Sequence, residues 1–288
     1  MKAAIVTDSN SGITQDQAKA AGIYVVPMPF MVDGETFYED LSLSHEMFYK
    51  KQQAGADITT SQPSPADIMD LWSRLLKEYD QVVYIPMSSS LSSSCHTAMV
   101  LAEEFEGKVF VVDNQRISVT LRQSALEAKQ MADKGMEGEE IKERLEASKR
   151  DSSIYITVDT LEYLKKGGRI TPAAALLGSF LKIKPVLTIQ GEKLDAFAKA
   201  RTMKQAKTMM ITAIKKDMEE RFNDSEGLFT SISVVHTDNE AAAMEFKQEL
   251  KELFPNTGEI YVDRLSLSIS CHIGPGALAV TCTKNLEI

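Results

Sequence analysis

Four short apolar runs in the first part of the chain, Ala3 to Val6, Ile23 to Val26, Val82 to Ile85 and Val109 to Val112, alternate with longer stretches of helical spacing. Runs of this length, rich in Val and Ile, fit buried strands, and their alternation with helices predicts βαβ units and a mostly parallel, Rossmann-like sheet. The spacing predicts a helix over Ser92 to Glu104 and another that starts at Ser64. There Ser64-Pro65-Ala66-Asp67 offers an N-cap, a proline at the first helical position and an acidic residue at the third. Thr59 to Pro63 then forms a loop. Ser118 to Lys134 and Glu139 to Lys149 read as two further helices.

The polar Lys149-Arg150-Asp151-Ser152 segment separates these elements from a second set of strands at Ile154 to Val158, Pro185 to Ile189, Leu194 to Ala198, Ile232 to His236, Ile260 to Asp263 and Ala277 to Cys282. Helices over Met203 to Arg221 and Asn239 to Leu253 interrupt that set. Gln190 to Lys193 is short enough for a hairpin, so the second sheet is expected to be mixed. The expected fold class is α/β, with an N-terminal domain over 1–152 and a C-terminal domain over 153–288. The chain's 288 residues suit two such domains.

Composition narrows the function classes. Lys plus Arg total 32 against 41 acidic residues, a net charge of −9. Backbone-phosphate binding needs a basic surface, so nucleic acid is not an expected partner. The N-terminus turns polar soon after Val6 and no long apolar run follows, so a cytoplasmic location is expected. Cys95, Cys271 and Cys282 form no CxxC pair and are odd in number, which predicts buried thiols rather than a metal site or a disulfide framework.

Four segments carry candidate chemistry. Thr7 to Gly12 follows the first strand, where a doubly wound fold places its ligand loop, but lacks a GxGxxG glycine trio. It reads either as an Asx-type turn capping the next helix or as part of a ligand mouth. Pro86 to His96 brings a serine run to a helix start, where hydroxyls and free backbone N–H groups suit an anionic oxygen or serve only as caps. Leu164 to Ile170 is locally basic and leads into a small-residue stretch, Thr171 to Lys184. As a helix, that stretch packs in the core or covers an apolar cavity while Lys165, Lys166, Arg169, Lys182 and Lys184 meet an anionic membrane surface. Ser270 to Leu278 reads as a tight Gly-Pro-Gly loop that presents His272.

Taken together, Asp8-Ser9, Thr60-Ser61-Gln62-Pro63-Ser64, Ser88 to Ala98, Leu164-Lys165-Lys166-Gly167-Gly168-Arg169-Ile170, Lys184-Pro185, Lys199-Ala200-Arg201 and His272-Ile273-Gly274-Pro275-Gly276 occur in an order that resembles the DegV family over essentially the whole chain. The resemblance implies two α/β domains with a long-chain fatty acid in a tunnel between them. It also implies a role as the fatty-acid-binding subunit of a bacterial fatty acid kinase, in which a separate ATP-binding subunit forms the acyl phosphate. No catalytic residue, metal or cofactor other than the bound fatty acid is then expected in this chain. By motif position, Thr60, Ser61, Ser92, Ser94 and His272 are implied at the fatty-acid carboxylate, with Arg169 and Arg201 near it or at the partner surface. One departure falls in this site: the family's usual Leu-Ser-Gly-Thr reads Leu91-Ser92-Ser93-Ser94.

Two other functions compete. An acyl hydrolase would use Ser92 as nucleophile and His272 as base, but no GxSxG elbow occurs and nothing fixes Asp263 as a third member. A carrier of another lipid, without a kinase partner, needs no further residues.

Overall fold

The computed structural model describes residues 1–39, 41–178 and 183–288. The first sheet is wholly parallel. Strand β1 (Ala3–Asp8) leads through a 3-10 turn, Ser9–Ser11, to helix α1 (Gln15–Ala21) and then β2 (Tyr24–Val26). An antiparallel excursion follows: β3 (Pro29–Val32), β4 (Glu35–Tyr38), helix α2 (His45–Gln53) and β5 (Ile58–Thr60) form a small sheet in the order β4-β3-β5. Helix α3 (Pro65–Leu75), β6 (Gln81–Ile85), α4 (Ser94–Ala102) and β7 (Val109–Val111) complete the first sheet, whose order is β2-β1-β6-β7. Helices α5 (Val119–Asp133) and α6 (Gly138–Ala147) close this part.

The alternation of side chains along each strand explains the layering. Ile5, Val83 and Ile85 join a core with Leu121, Ala125 and Ala128 of α5, whereas Ala4, Val6, Val82 and Tyr84 pack with Ile68 and Trp72 of α3 on the opposite face. Both faces are covered, as the continuous apolar runs require. Ser64 caps α3 by accepting from Asp67 N, with Pro65 at the first position, as expected from the sequence.

The second sheet is mixed. Strand β8 (Ser152–Thr157) is followed by helices α7 (Glu162–Gly167) and α8 (Pro172–Leu177), then β9 (Lys184–Ile189) and β10 (Asp195–Ala200). Helix α9 (Met203–Lys216), extended by a π turn over Asp217–Arg221, leads to β11 (Thr230–His236), α10 (Glu240–Leu253), β12 (Tyr261–Arg264), α11 (Leu267–Ile273) and β13 (Leu278–Lys284). The strand order is β10-β9-β8-β13-β11-β12, antiparallel except for the parallel β11-β12 pair, and the expected β9-β10 hairpin is present. One face, with Tyr155, Val234 and Val280, packs on α9 and α10. The other, with Ile154, Ile156, Leu187 and Ala279, shares a core with the first sheet's α5 face.

Three sequence expectations need correction. Thr59 and Thr60 belong to β5 rather than to a loop, because they pair with Met31 and Phe30 of β3. The stretch read as a loop presenting His272 is helical up to Ile273, held by the Ser270 N to Ser266 O and Gly274 N to Ser270 O hydrogen bonds. Only Pro172–Leu177 of the expected 171–184 helix is helical among the described residues, and Lys182 lies outside them. The three thiols are free and buried. Among the described residues no helix is long and apolar enough to cross a membrane.

Candidate functional site

The order of the first sheet reverses between β1 and β6, the switch point where open α/β sheets form a crevice beyond their strand ends. Asp8 fastens the two loops that leave these strands. Its carboxylate accepts from Asn10 N at 2.9 Å and from Met87 N at 2.8 Å. Burial pushes its pKa up to about 6 even against those two donors. The loop after β1 is thus an Asx-type turn over Ser9–Ser11, while the cap of α1 comes from Thr14, which accepts from Gln17 N.

Above this point the two sheets enclose a cavity of about 210 Å³, measured at the centres of water-sized spheres. One buried water needs about 10–15 Å³ on a comparable measure, so there is room for a ligand of many atoms. Its wall is mostly aliphatic: Met28, Met87 and Leu91 come from the first half of the chain, Ile154, Ile156, Ile189 and Ala279 from the second. Polar side chains gather where β5, the loop before α4, the end of α7 and α11 meet: Thr60, Ser61, Gln62, Ser92, Ser93, Arg169 and His272.

Thr60 Oγ1 and His272 Nε2 share a hydrogen bond of 2.9 Å across 212 residues of sequence. Burial first, and then the nearby Arg169 charge, hold the His272 pKa down at about 4, so the ring is neutral at ordinary pH. Gly167 makes room for it: a Cβ there would stand 2.2 Å from His272 Nδ1. Arg169 is anchored by backbone carbonyls, donating from Nε to Leu91 O at 3.3 Å and from a terminal nitrogen to Gly167 O. The guanidinium therefore belongs to the frame of the mouth.

Ser92 donates to Ser94 Oγ at 3.0 Å and accepts from Ser94 N at 3.2 Å. Ser94 is buried behind Ser92 and does not line the cavity, so its contact with the cavity is indirect. Ser61 lines the mouth, with its hydroxyl turned to Gln62 O at 3.3 Å. Gln62 in turn accepts from Ser93 and Thr97, which gives Ser93, one of the two serines that depart from the family pattern, a partner at 3.4 Å. The expected cradle of free backbone N–H groups is largely absent. Those of Ser88 to Ser92 donate to Arg116 O, Asp113, Ser88 Oγ and Ser88 O, and Ser94's goes to Ser92 Oγ. Tight turning of the chain between β6 and α4 consumes these donors and leaves hydroxyls in their place.

Arg201 is not brought to the mouth. It is exposed beyond β10, and its backbone N–H donates to Gln205. Lys166 pairs with Asp57 at 2.8 Å and Lys184 with Asp159, so two of the basic residues after the first sheet already hold acidic partners. The sequence reading missed Gln62, Asn10, Ser118 and Ser268, all of which line the cavity. Gln62 and Asn10 stood inside segments already singled out, and the cavity position of Asn10 fits the ligand-mouth reading of Thr7 to Gly12, while Ser118 and Ser268 carry no signal of their own. Ser92 and His272 do not form a hydrolytic pair: their side chains bond Ser94 and Thr60, and no carboxylate hydrogen-bonds His272 among the described residues. Asp263 instead lies against Gly12.

Two sheets closed around a largely apolar cavity with a neutral hydroxyl and imidazole mouth define an α/β protein built to enclose a ligand. The chain belongs to the DegV family, described as uncharacterised protein, whose family model matches residues 2–285. It is 30% identical over 282 residues to a DegV domain-containing protein of Deinococcus radiodurans, covering 97% of this chain and 98% of that one. It is also 30% identical to Protein DegV of Bacillus subtilis over 283 residues, with 97% and 98% covered. Two solved structures superpose closely over 99% of this chain and 100% of theirs. A DegV family protein from Thermus thermophilus, described by its fatty acid binding, has a TM-score of 0.90 at 32% identity. DegV of Bacillus subtilis, described as a fatty acid binding protein, has 0.88 at 29%.

Proposed function

We propose that this chain binds a long-chain fatty acid between its two sheets, with 1–152 and 153–288 forming the walls, and offers the carboxylate at the mouth to a separate ATP-dependent kinase subunit. The observation that carries this reading is the polarity of the cavity: an aliphatic interior that ends in Thr60, Ser92 and a neutral His272. The fatty acid binding described for the Thermus thermophilus and Bacillus subtilis relatives supports it.

The chemistry is consistent with a cargo that must react while bound. A sixteen-carbon chain buries about fourteen methylenes at about 0.8 kcal/mol each, roughly 11 kcal/mol gross before ordering costs, so the tail dominates affinity. The carboxylate then needs only enough donors to leave water safely. With His272 protonated on Nε2 and donating to Thr60 Oγ1, the Thr60 hydroxyl proton is free for a carboxylate oxygen. Ser92 supplies a second donor once it turns from Ser94. Neutral donors leave an oxygen nucleophilic towards a phosphoryl group, whereas a bidentate arginine clamp would compete for it. Arg169, tied to Leu91 O and Gly167 O, is placed to shape the mouth or meet the kinase subunit. Lys165, Lys166 and Lys184 lie on the same part of the chain and suit brief contact with an anionic membrane surface.

Native mass spectrometry of gently purified protein tests the first half of this reading: a co-purified fatty acid is expected, and a ligand-free chain or another lipid class overturns it. Adding a DegV-associated kinase subunit and ATP tests the second half. Acyl phosphate is the expected product, and its absence with fatty acid bound leaves carriage without activation.

A further inference from the structure

The aliphatic wall of the cavity is broken at one place away from the mouth. Asn10, from the turn after β1, lines the cavity and is only 1% exposed. Its amide oxygen accepts from the hydroxyls of Ser266 and Ser268, which turns the nitrogen away from them. That nitrogen meets Met87 Sδ at 2.9 Å, a thioether and so a weak acceptor, and also the buried Asp8 carboxylate.

Ser118 stands beside it. Its backbone N–H donates to Asn10 O at 2.9 Å, and its side chain lines the cavity without a hydrogen-bond partner among the described residues. Its backbone is held at φ 58° and ψ −141°, a region that residues with a Cβ seldom occupy. At that position Ser118 presents a hydroxyl to a largely apolar wall. Ser268, the third member, lies four residues before His272 on α11, about 6 Å along the helix axis, so the polar group is set back from the mouth by one turn.

A plain alkyl chain would cover the Ser118 hydroxyl without giving it a partner and leave one Asn10 N–H on a thioether, which opposes its binding. A hydroxyl on the chain would accept from the Asn10 amide and exchange a hydrogen bond with Ser118. We propose that the cavity selects an acyl chain bearing an internal hydroxyl, read by Asn10 and Ser118 with Ser268 fixing the amide. This rests on the reading of the cavity as a fatty-acid site and adds the class of chain it prefers.

The test is competitive displacement of a fluorescent fatty acid from the delipidated protein by stearate and by a series of hydroxystearates that differ in hydroxyl position. At least one isomer is expected to bind about three- to tenfold more tightly than stearate, the range of one neutral hydrogen bond. Asn10→Leu and Ser118→Ala are each expected to bring that ratio close to one. Ser118→Ala removes only a hydroxyl without a protein partner, so it keeps the test readable if Asn10→Leu fails to fold. The proposal is overturned if every isomer binds no better than stearate, or if the preference survives both changes. Failure of stearate itself to displace the probe overturns the fatty-acid reading instead, and the two failures are told apart by that single control.

Discussion

At the scale of single residues, His272 is kept neutral twice over: burial removes the water that an imidazolium needs, and the Arg169 charge opposes a second cation nearby. Because its pKa is lowered, the folded state binds fewer protons than the unfolded chain between pH 6.5 and about 4, and its contribution to stability is lost as pH falls through that window. A nuclear magnetic resonance titration is expected to show the ring neutral down to about pH 4. Arg169→Gln should raise that midpoint yet leave it below 6.5, because burial is the larger cause. Loss of a donor at the mouth is expected to be modest. Thr60→Val and Ser92→Ala should each weaken fatty-acid binding by about 1 kcal/mol, read as faster release in an exchange assay.

Asp263 behaves in the opposite sense. Burial raises its pKa to about 7, and Oδ2 has no hydrogen-bond partner. The folded protein therefore holds this proton to higher pH than the unfolded chain does, and stability falls as pH rises from about 4 through about 7. Asp263→Asn should flatten that loss by on the order of 2 kcal/mol between pH 5 and pH 8, measured by urea unfolding at both values. An unchanged slope would show that the carboxylate is already solvated. Neither shift is legible in the sequence, because both are set by burial.

The elements decide which of these side chains meet. Helix α7 ends at Gly167, and the absence of a Cβ there lets the His272 ring approach the backbone. Gly167→Ala is expected to displace the ring, break its bond to Thr60 and speed fatty-acid release by a larger factor than Thr60→Val. Circular dichroism should confirm that the fold is kept. The hairpin of β3 and β4 shows that a local signal was available for part of what sequence reading missed. Asp33-Gly34, with φ of 52° and 84°, is the two-residue turn that such a pair favours. Helix α11 had no such signal. Its Leu-Ser-Ile-Ser-Cys-His-Ile sequence is half polar, and the following glycines read as a loop; it is helical because Leu267 and Cys271 pack against Phe30 and Phe48 of the small sheet. Tertiary burial outweighs weak local propensity over so short a segment.

At the scale of the molecule, the cavity joins two sheets whose facing sides share one core, so a ligand that fills it ties both together. Fatty acid at about a hundredfold excess over its dissociation constant should stabilise the fold by about 2.7 kcal/mol. That corresponds to a rise of roughly 4–5 °C in melting temperature for a chain of this size, and calorimetry of delipidated protein with and without palmitate measures it. The alternation of apolar runs and helices by itself determined the α/β class, the parallel first sheet and the mixed second sheet. Strand and helix periodicities are local properties of the chain, and each buried strand here had the pattern its place demands. The order of the motifs was enough to suggest Thr60, Ser92, Arg169 and His272 as neighbours. What only the tertiary structure decided is the direction and company of each side chain. It set Ser94 behind Ser92, left Arg201 away from the mouth, spent the serine run's backbone donors, and put Asn10 and Ser118 into the apolar wall. Those outcomes rest on contacts that range from Ser92 with Ser94, two residues apart, to Asn10 with Ser268, 258 apart, and in each case packing and the loss of water govern and no local spacing carries the information.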